Sequence, residues 1–478
     1  MSLLASLLTS SSTLSVFDRA VEVTQNNVAN ATTPGYVTQR LTLNPLPFDP
    51  ALGLPGGLSA GDVQSARDEF ADAAVRRRQE SFGTFSQRSA SLQAVEGMLD
   101  LSAASGIPGA LADLFQSFSA WSLTPSSGIA RQTVVDNAQK VATSFRSTAA
   151  KLAQASGDAD RQISQTVDQI NGLGARLQAY NIDRQHDDRS DAALDAKIHN
   201  TLEELSQVAN YTAIFQQDGS VTVMLGGQTP LVVGSHAYQV SAEFAVPAGL
   251  PPGNPGVPPS AIIMDSAGRD ITSQFTGGKL GALLDVRNHV IASFLGDVNQ
   301  PGELNRLAQT FADRVNQLLT SGNISDGPPP QPGVPLFSYD TTNATRVAAT
   351  LAVDSALTPD QLAAIDPGPP YVSNGTALNL AGLGNPLNAA NQIDSFSFTE
   401  FYGSLAAGVG RQLSDAQDQK DIQKQLLTQA QSLREQVSGI SLDEQAVLLI
   451  QFQRAYQANA KLITVLSDLT LVAVNLLP

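Results

Sequence analysis

The sequence of 478 residues contains no cysteine, which excludes disulfides, thiol nucleophiles and thiolate metal sites. Its four histidines are scattered, and none has an evident catalytic partner in the sequence. Neither a Gly-x-Ser-x-Gly elbow nor the spacing of a phosphate-binding loop is present. No pair of carboxylates is constrained as a glycan-cleaving enzyme requires. The sequence therefore predicts a protein without enzymatic activity, cofactor or metal.

Charged residues are scarce, at 15% of the chain, and the formal net charge is -16. An acidic surface repels phosphate backbones and anionic lipid, so we expect neither nucleic acid nor a membrane as a partner. No run approaches the ~20 apolar residues of a membrane span. The N-terminal segment lacks the basic region of a signal peptide, which predicts that any secretion proceeds without a cleaved signal.

Apolar residues near both termini recur in alternating steps of three and four, the pattern of a coiled-coil seam. In the first helical segment, Ser10 and Thr24 fill the remaining seam positions. Two such helices can pair with each other. The pair either caps an ordinary domain as a simple hairpin or forms a self-assembly interface whose apolar stripes are left for other copies. The seam residues are Leu3, Leu7, Leu14, Phe17, Val21 and Val28 near the N-terminus, and Leu448, Phe452, Ala455, Asn459, Leu462, Leu466, Leu469 and Leu476 near the C-terminus.

Local signals mark where these helices end and begin. Pro34 presets φ and Gly35 accepts a positive φ, so residues 33–36 favour a type II turn that stops the first helix. Ser441 is placed to cap the last helix, with Glu444 three residues later completing a capping box.

The segment "NNVANATTPGYVTQR" resembles the N-terminal signature of the axial proteins of the bacterial flagellum. The segment "SLDEQAVLLIQFQRAYQANAKLITVLSDL" resembles their C-terminal signature, and the internal segments resemble those of the proteins at the hook–filament junction. Two signatures at opposite ends of one chain are more specific than either alone. The residues that match the N-terminal motif are Asn27, Asn30, Thr33, Pro34, Gly35 and Tyr36.

This resemblance implies a structural adaptor outside the cell, at the junction between hook and filament, that assembles as a ring of its own copies. It further implies contacts with the hook protein and the second hook–filament junction protein. It implies export by the flagellar type III apparatus. Because the apolar C-terminal helix needs shielding before export, we also expect an export chaperone to bind it, near residues 442–477. The alternatives are another axial protein, namely the hook protein or the second junction protein, or a secreted surface adhesin.

The predicted fold is mainly α with an inserted β region. Helical spacing dominates residues 68–205, 280–319 and 397–437, whereas alternating residues around Asp218-Gly219 and Gly226-Gly227 indicate hairpins. Proline runs lie only between residues 246 and 370. We therefore predict three parts: a terminal coiled-coil core of residues 1–66 and 440–478; a helical bundle of residues 67–205, 281–322 and 396–439; and an outward-facing, β-rich and Pro-rich region of residues 206–280 and 323–395.

Two runs of charged residues do not indicate a binding or metal site. The consecutive arginines Arg76, Arg77 and Arg78 point in different directions on a helix, which favours a solvated face or an ion pair between subunits. The acidic run around His186 lacks the spacing of a zinc or calcium site and is typical of a charged loop between helices.

Overall fold

The computed structural model describes residues 3–49, 54–101, 106–186, 191–245, 258–327 and 329–475. Leu476, the Pro-rich run 246–257 and part of the acidic loop after His186 lie outside the described residues. The helices in chain order are α1 (Leu3–Ala29), α2 (Glu69–Glu96), α3 (Ile107–Leu123), α4 (Gly128–His186), α5 (Ala192–Val208), α6 (Gly278–Asp285), α7 (Ala292–Leu295), α8 (Glu303–Ser321), α9 (Val347–Thr350), α10 (Gly375–Ala381), α11 (Phe398–Ser438) and α12 (Leu442–Asn475).

The strands are short and pair antiparallel in small sheets. One four-stranded sheet has the order β5-β6-β7-β8, and the remaining sheets pair β1 with β4, β2 with β3, β9 with β10, β11 with β12 and β13 with β14. Their bounds are β1 (Gln39–Pro45), β2 (Phe48–Asp49), β3 (Leu54–Pro55), β4 (Leu58–Ser65), β5 (Tyr211–Phe215), β6 (Val221–Leu225), β7 (Thr229–Val233), β8 (His236–Ala237), β9 (Ser241–Ala245), β10 (Ser260–Met264), β11 (Asn323–Ser325), β12 (Gln331–Pro332), β13 (Phe337–Ser338) and β14 (Ala352–Val353).

The predicted fold class is confirmed. Long helices dominate, the terminal helices α1 and α12 pair with each other, and small antiparallel sheets are inserted after α5. The helices α2 and α11 also form a long pair. The helix α2 follows α1 after the strands β1 to β4, and α11 leads into α12. The chain therefore runs outward through α2 and returns through α11.

Two separate hydrophobic cores lie along α4. The first half of this helix packs with α3, α8 and the beginning of α11, and its second half packs with α5, α6 and the sheet β5–β8. Asn288 connects β10 to the helical side, because its amide bonds the backbone of Ala261 at both N–H and C=O. The four-stranded sheet and β10 both contribute buried side chains to this second core, among them Val223 and Ile263.

The segment 323–395 differs from the expected β-rich region. It contains only the short strands β11 to β14 with α9, α10 and single 3₁₀ turns. Its buried side chains, including Leu336, Leu362 and Leu380, join the first core together with α3, α4 and α8. Tertiary packing of these apolar residues outweighs the local preference of the prolines for exposed loops, so this segment covers the bundle.

Trp121 lies inside α3 and is fully buried, with its indole N–H donating to the carbonyl of Pro125. One further local expectation needs revision. The stretch 280–319 is interrupted by a π-helical turn over Val286–Ile291 and by a loop between α7 and α8. Gly296 and Gly302 adopt positive φ in that loop, and their close approach leaves no room for a Cβ.

Replacing Phe311 by alanine should remove the centre of the first core. Its ring is fully buried and lies 5.3 Å from Phe337 and 5.4 Å from Phe398, centroid to centroid. We expect Phe311→Ala to lower the free energy of unfolding by about 3–5 kcal/mol, measured by denaturant titration. The control Phe70→Ala removes a ring that is 88% exposed and should change this free energy little. Equal losses in both variants would contradict the assigned core.

Candidate functional site

The terminal helices α1 and α12 run antiparallel, because Asn27 meets Gln445 and Ser10 meets Asn459. The amide of Asn459 donates to the carbonyl of Ser10 at 2.7 Å, near the middle of both helices. This bond fixes the register of two helices that otherwise meet mostly through apolar side chains. The pair brings the two ends of the chain to one end of the molecule.

The seam between these helices contains most, but not all, of the predicted residues. In α1 the fully buried positions are Ser10, Val16, Ala20, Thr24 and Asn27. The predicted residues Leu7, Leu14, Phe17 and Val21 are half-buried beside them, whereas Leu3 and Val28 are exposed. In α12 the half-buried set includes Leu448, Phe452, Ala455, Asn459 and Leu466.

Leu462 and Leu469 lie outside this seam, and each is 50% exposed. Ile463 and Thr470, one position further along the helix, are half-buried instead. The reason is geometric: a straight α-helix has 3.6 residues per turn, so a strict 3.5-residue stripe drifts away from its partner along the helix. The helix α12 therefore presents one apolar face to α1 and leaves a second one exposed.

A buried polar cluster closes the inner end of the pair, with Asn27 at its centre. The Asn27 amide donates to the carbonyl of Gln39 at 2.8 Å and to Oε1 of Gln445 at 2.9 Å. Its Oδ1 accepts from the backbone N–H of Gln39 at 2.9 Å and from the hydroxyl of Tyr36 at 3.5 Å. One side chain, 1% exposed, thus joins α1, the strand β1 and the start of α12.

The turn that follows α1 has the geometry its sequence suggests. The N–H of Tyr36 donates to the carbonyl of Thr33 at 3.2 Å, and Gly35 has a φ of 77°. A Cβ on Gly35 would lie 2.6 Å from the carbonyl oxygen of Ala196 in α5. The turn therefore rests directly on the helical bundle, which only glycine allows at this position.

The other motif residues have local roles. Asn30 donates to the carbonyl of Asn26 at 2.9 Å and accepts from the hydroxyl of Thr33 at 3.2 Å, so it holds the end of α1. Pro34 is exposed, whereas Tyr36 is buried. Burial, together with the nearby carboxylate of Asp191, raises the pKa of Tyr36 above its usual value.

Arg67 ties this turn to the bundle. Its guanidinium donates to the carbonyl of Gly35 at 2.6 Å, to Asp72 at 2.7 Å and to Asp195 at 2.9 Å. Asp72 is 2% exposed and also lies 3.5 Å from Arg434 of α11. Charge-assisted bonds in such a buried position are directional, so they define how the terminal pair sits on the bundle.

The segment between α11 and α12 contacts the same turn after α1. The N–H of Thr38 donates to the carbonyl of Ser438 at 3.2 Å, and the hydroxyl of Thr38 donates to that of Gly439 at 2.8 Å. Ser441 then caps α12, with its hydroxyl accepting from the N–H of Glu444 at 3.3 Å. The outgoing and returning segments are thus bonded to each other where α12 begins. We call these contacts, together with Asn27 and Arg67, the joint.

His199 of α5 is buried within the joint. Its ring stacks on Phe215 at 5.0 Å, and its Nδ1 lies 3.3 Å from Asp72. Burial, with the neighbouring guanidinium groups of four arginines, lowers the pKa of His199 to about 2. The imidazole is therefore neutral at physiological pH. The arginines are Arg67, Arg76, Arg434 and Arg184.

Sequence reasoning did not identify Gln445, Arg67, Asp72 or His199 as parts of a site. Each belongs to a different element, and no local spacing relates them. Within the described ranges no group of three or more His, Cys, Asp or Glu residues could hold a metal ion. The same ranges contain no helix with the length and apolarity of a membrane span.

Removing the Asn27 side chain should weaken the joint. Asn27→Ala leaves the buried Gln445 amide and the N–H of Gln39 without their partner, which should cost about 1–3 kcal/mol of local stability. Hydrogen exchange at residues 36–39 and at the start of α12 measures this loss as faster exchange. The control Asn30→Ala, in the same motif, should leave these amides protected. Unchanged protection in Asn27→Ala would contradict the role of this cluster.

The low pKa of His199 makes stability depend on pH. The unfolded chain protonates this imidazole below about 6.5, but the folded chain does so only near 2. The contribution of His199 to the free energy of unfolding should therefore be fully present above pH 6.5. It should decrease by about 1.4 kcal/mol per pH unit below that value. The variant His199→Gln should show a flatter profile between pH 6 and 4, measured by urea unfolding, while the exposed His289→Gln should keep the steep one. A wild-type slope in His199→Gln would refute this assignment.

Comparisons with known proteins agree with this arrangement. The family model described as the flagellar hook-associated protein FlgK helical domain matches residues 92–337, just over half of the chain. The model of the C-terminal part of the basal body rod FlgEFG proteins matches residues 432–476, and that of the flagella basal body rod protein matches residues 7–36. The two rod-type matches thus fall on the terminal helix pair.

Full-length relatives point the same way. Flagellar hook-associated protein 1 of Bacillus subtilis is 24% identical over 97% of this chain and 96% of its own length. That of Escherichia coli is 22% identical over 94% of this chain and 95% of its own length. The solved structure of the flagellar hook junction protein FlgK from Burkholderia pseudomallei has a TM-score of 0.63 at 15% identity, and the match covers 77% of this chain and 100% of that one, which supports the fold. This chain belongs to the FlgK family of flagellar hook-associated proteins.

Proposed function

We propose that this chain is a structural adaptor at the hook–filament junction, where its copies form a ring through their terminal helices. The observation that carries the proposal is the second apolar face of α12. Its members recur at steps of three and four, as in a coiled-coil seam, although the first face is already occupied by α1. They are Leu462, Val465, Leu469 and Val472.

This second face has the properties of an assembly surface. Each of its four side chains is about half exposed in the isolated chain. A row of exposed leucine and valine on a helix costs solubility unless another surface covers it. A coiled-coil seam of this spacing fits a further helix, and neighbouring copies of the same chain each supply two.

Between Arg454 and Asp468 the remaining face of α12 is polar. Arg454, Lys461 and Asp468 follow one another at intervals of seven residues and are exposed, with Gln457 and Thr464 between them. In a ring whose innermost elements are these helices, this face borders the central export channel. An aqueous channel suits such side chains better than apolar ones.

The joint gives the adaptor its shape. Because Arg67 and Asn27 hold the terminal pair on the bundle, contacts made by α12 determine where α2 and α11 lie. Hook protein is the proposed partner on one side of the ring, and the second hook–filament junction protein on the other. No catalytic step is part of this function.

The exposed face of α12 also has to be covered before assembly. We include in the proposal that an export chaperone binds this face in the cytoplasm and that the flagellar type III apparatus exports the chain. The same leucines that later contact a neighbouring copy then serve as the chaperone contact. Both roles require an apolar helix face rather than a folded pocket.

Two aspartates on the second face should abolish assembly without unfolding the monomer. Leu462→Asp with Leu469→Asp places charge in the contact between copies, where it has no partner. We expect cells with this variant to build hooks, to lack filaments and to release flagellin into the medium. Electron microscopy and immunoblots of the medium measure these outcomes, and thermal unfolding of the soluble monomer should be nearly unchanged.

The matched control adds the same charges to the polar face. Gln457→Asp with Thr464→Asp changes two exposed residues of the same helix, away from the second apolar face and at the same spacing as the leucine pair. This variant should form normal filaments. Normal filaments in the leucine variant as well would contradict the assembly role of this face.

A further inference from the structure

A pocket of about 500 Å³ lies between α8 and the segment that covers the bundle. Its walls come from α8, from residues 334–341 and from residues 354–361. Pockets of this size hold small ligands. A larger pocket beside α2 is lined by Arg88 and His289, but both already contact the carboxylate of Asp285. The smaller pocket is different, because its charged groups are not neutralised within the chain.

Hydrogen bonds hold the walls of this pocket in place. Asn316 of α8 accepts from the N–H groups of Leu336 and Phe337, at 2.8 and 2.9 Å, and donates to the carbonyl of Phe337 at 2.8 Å. The pairing of β13 with β14 joins the second wall to the strand that leads into residues 354–361. The walls are therefore in position before a ligand arrives, so binding does not have to order a loop.

Two carboxylates, those of Asp313 and Asp354, line the pocket. In the described part of the chain neither forms an ion pair, and no lysine or arginine lines the pocket. Asp313 accepts from the hydroxyl of Tyr339 at 2.5 Å and Asp354 accepts from the N–H of Ala356 at 2.9 Å, which leaves one oxygen of each for a ligand. Burial and the Asp313 carboxylate raise the pKa of Tyr339 to about 12, so this hydroxyl remains a donor at physiological pH.

The pocket also offers a donor, hydroxyl groups and an apolar wall. The side-chain carbonyl of Gln361 accepts from the N–H of Thr358 at 2.9 Å, which leaves the NH₂ group of this amide for a ligand. The other lining residues include apolar side chains and two exposed hydroxyls, namely Val334, Pro335, Leu357, Ser338 and Thr341. Acceptors, donors and apolar surface are thus combined in one pocket.

We propose that this pocket binds a neutral saccharide unit. A sugar presents several hydroxyl groups, which donate to carboxylates in short, charge-assisted hydrogen bonds. Its other hydroxyl oxygens can accept from the amide of Gln361, and its C–H groups can pack on the apolar wall. An acidic sugar would bring negative charge beside two carboxylates, which is unfavourable. A simple cation would satisfy the carboxylates but would leave the amide and the apolar wall unused.

This inference does not depend on the proposed junction role. The walls of the pocket belong to α8 and to the segment after it, whereas the proposed contact between copies is made by α12. The inference adds a ligand-binding function to a chain that is otherwise proposed to be structural.

Saturation-transfer NMR on the soluble full-length chain tests the proposal. The probes are the methyl glycosides of glucose, galactose, mannose and N-acetylglucosamine, with lysine methyl ester as the cationic comparison. The variants Asp313→Ala and Asp354→Ala each remove one carboxylate from the pocket. The matched control is Asp360→Ala, which removes a side chain that is 87% exposed and lies in the same segment but outside the pocket. Thermal unfolding of each variant verifies that the fold is retained.

We expect at least one neutral glycoside to bind the wild type and Asp360→Ala equally well. It should bind each folded pocket variant at least about tenfold more weakly, because a charge-assisted hydrogen bond is lost. If none of the four glycosides binds the wild type, the inference is overturned. Affinity that is unchanged in the pocket variants, or reduced as much in Asp360→Ala, also overturns it. Binding of lysine methyl ester alone would identify a cation site and overturn it as well.

Discussion

The antiparallel pairing of α1 with α12 is the contact on which the remaining architecture depends. It joins segments more than 400 positions apart, with Asn459 on Ser10 and Gln445 on Asn27 fixing the register. Both ends of the chain meet there, so the rest of the chain leaves the terminal pair through α2 and returns to it through α11. The polar contacts matter because apolar helices alone could slide by a heptad, whereas a buried amide has few positions in which its bonds are satisfied.

The joint fixes the orientation of the terminal pair relative to the helical bundle. Gly35 rests against α5, and Arg67 connects the turn with Asp72 and Asp195 of the bundle. Removing one partner of such a buried ion pair is costly, because the other charge remains without compensation. The Thr-Pro-Gly-Tyr turn therefore acts as more than a helix stop: it is the surface on which the bundle sits.

How much the sequence revealed depended on how local each signal was. The capping serine Ser441, the turn at Gly35 and the seams at both termini were readable because neighbouring residues encode them. Leu462 and Leu469 were placed on one stripe with the residues that meet α1, because a 3.5-residue pattern ignores the drift of a straight helix. The cluster of Arg67, Asp72 and His199 could not be read, since three separate elements supply it. The segment 323–395 was misjudged because packing against the bundle overrides its proline content.

The central claim is that the α1–α12 pairs of adjacent copies form the inner wall of the junction. Electron cryomicroscopy of intact hook–filament junctions tests it most directly. The account predicts a ring of this chain in which the terminal pairs are innermost, the face with Leu462 and Leu469 lies against a neighbouring copy, and the polar face with Lys461 borders the channel. A map with the terminal pairs on the outer surface, or with that apolar face exposed to solvent, would contradict it.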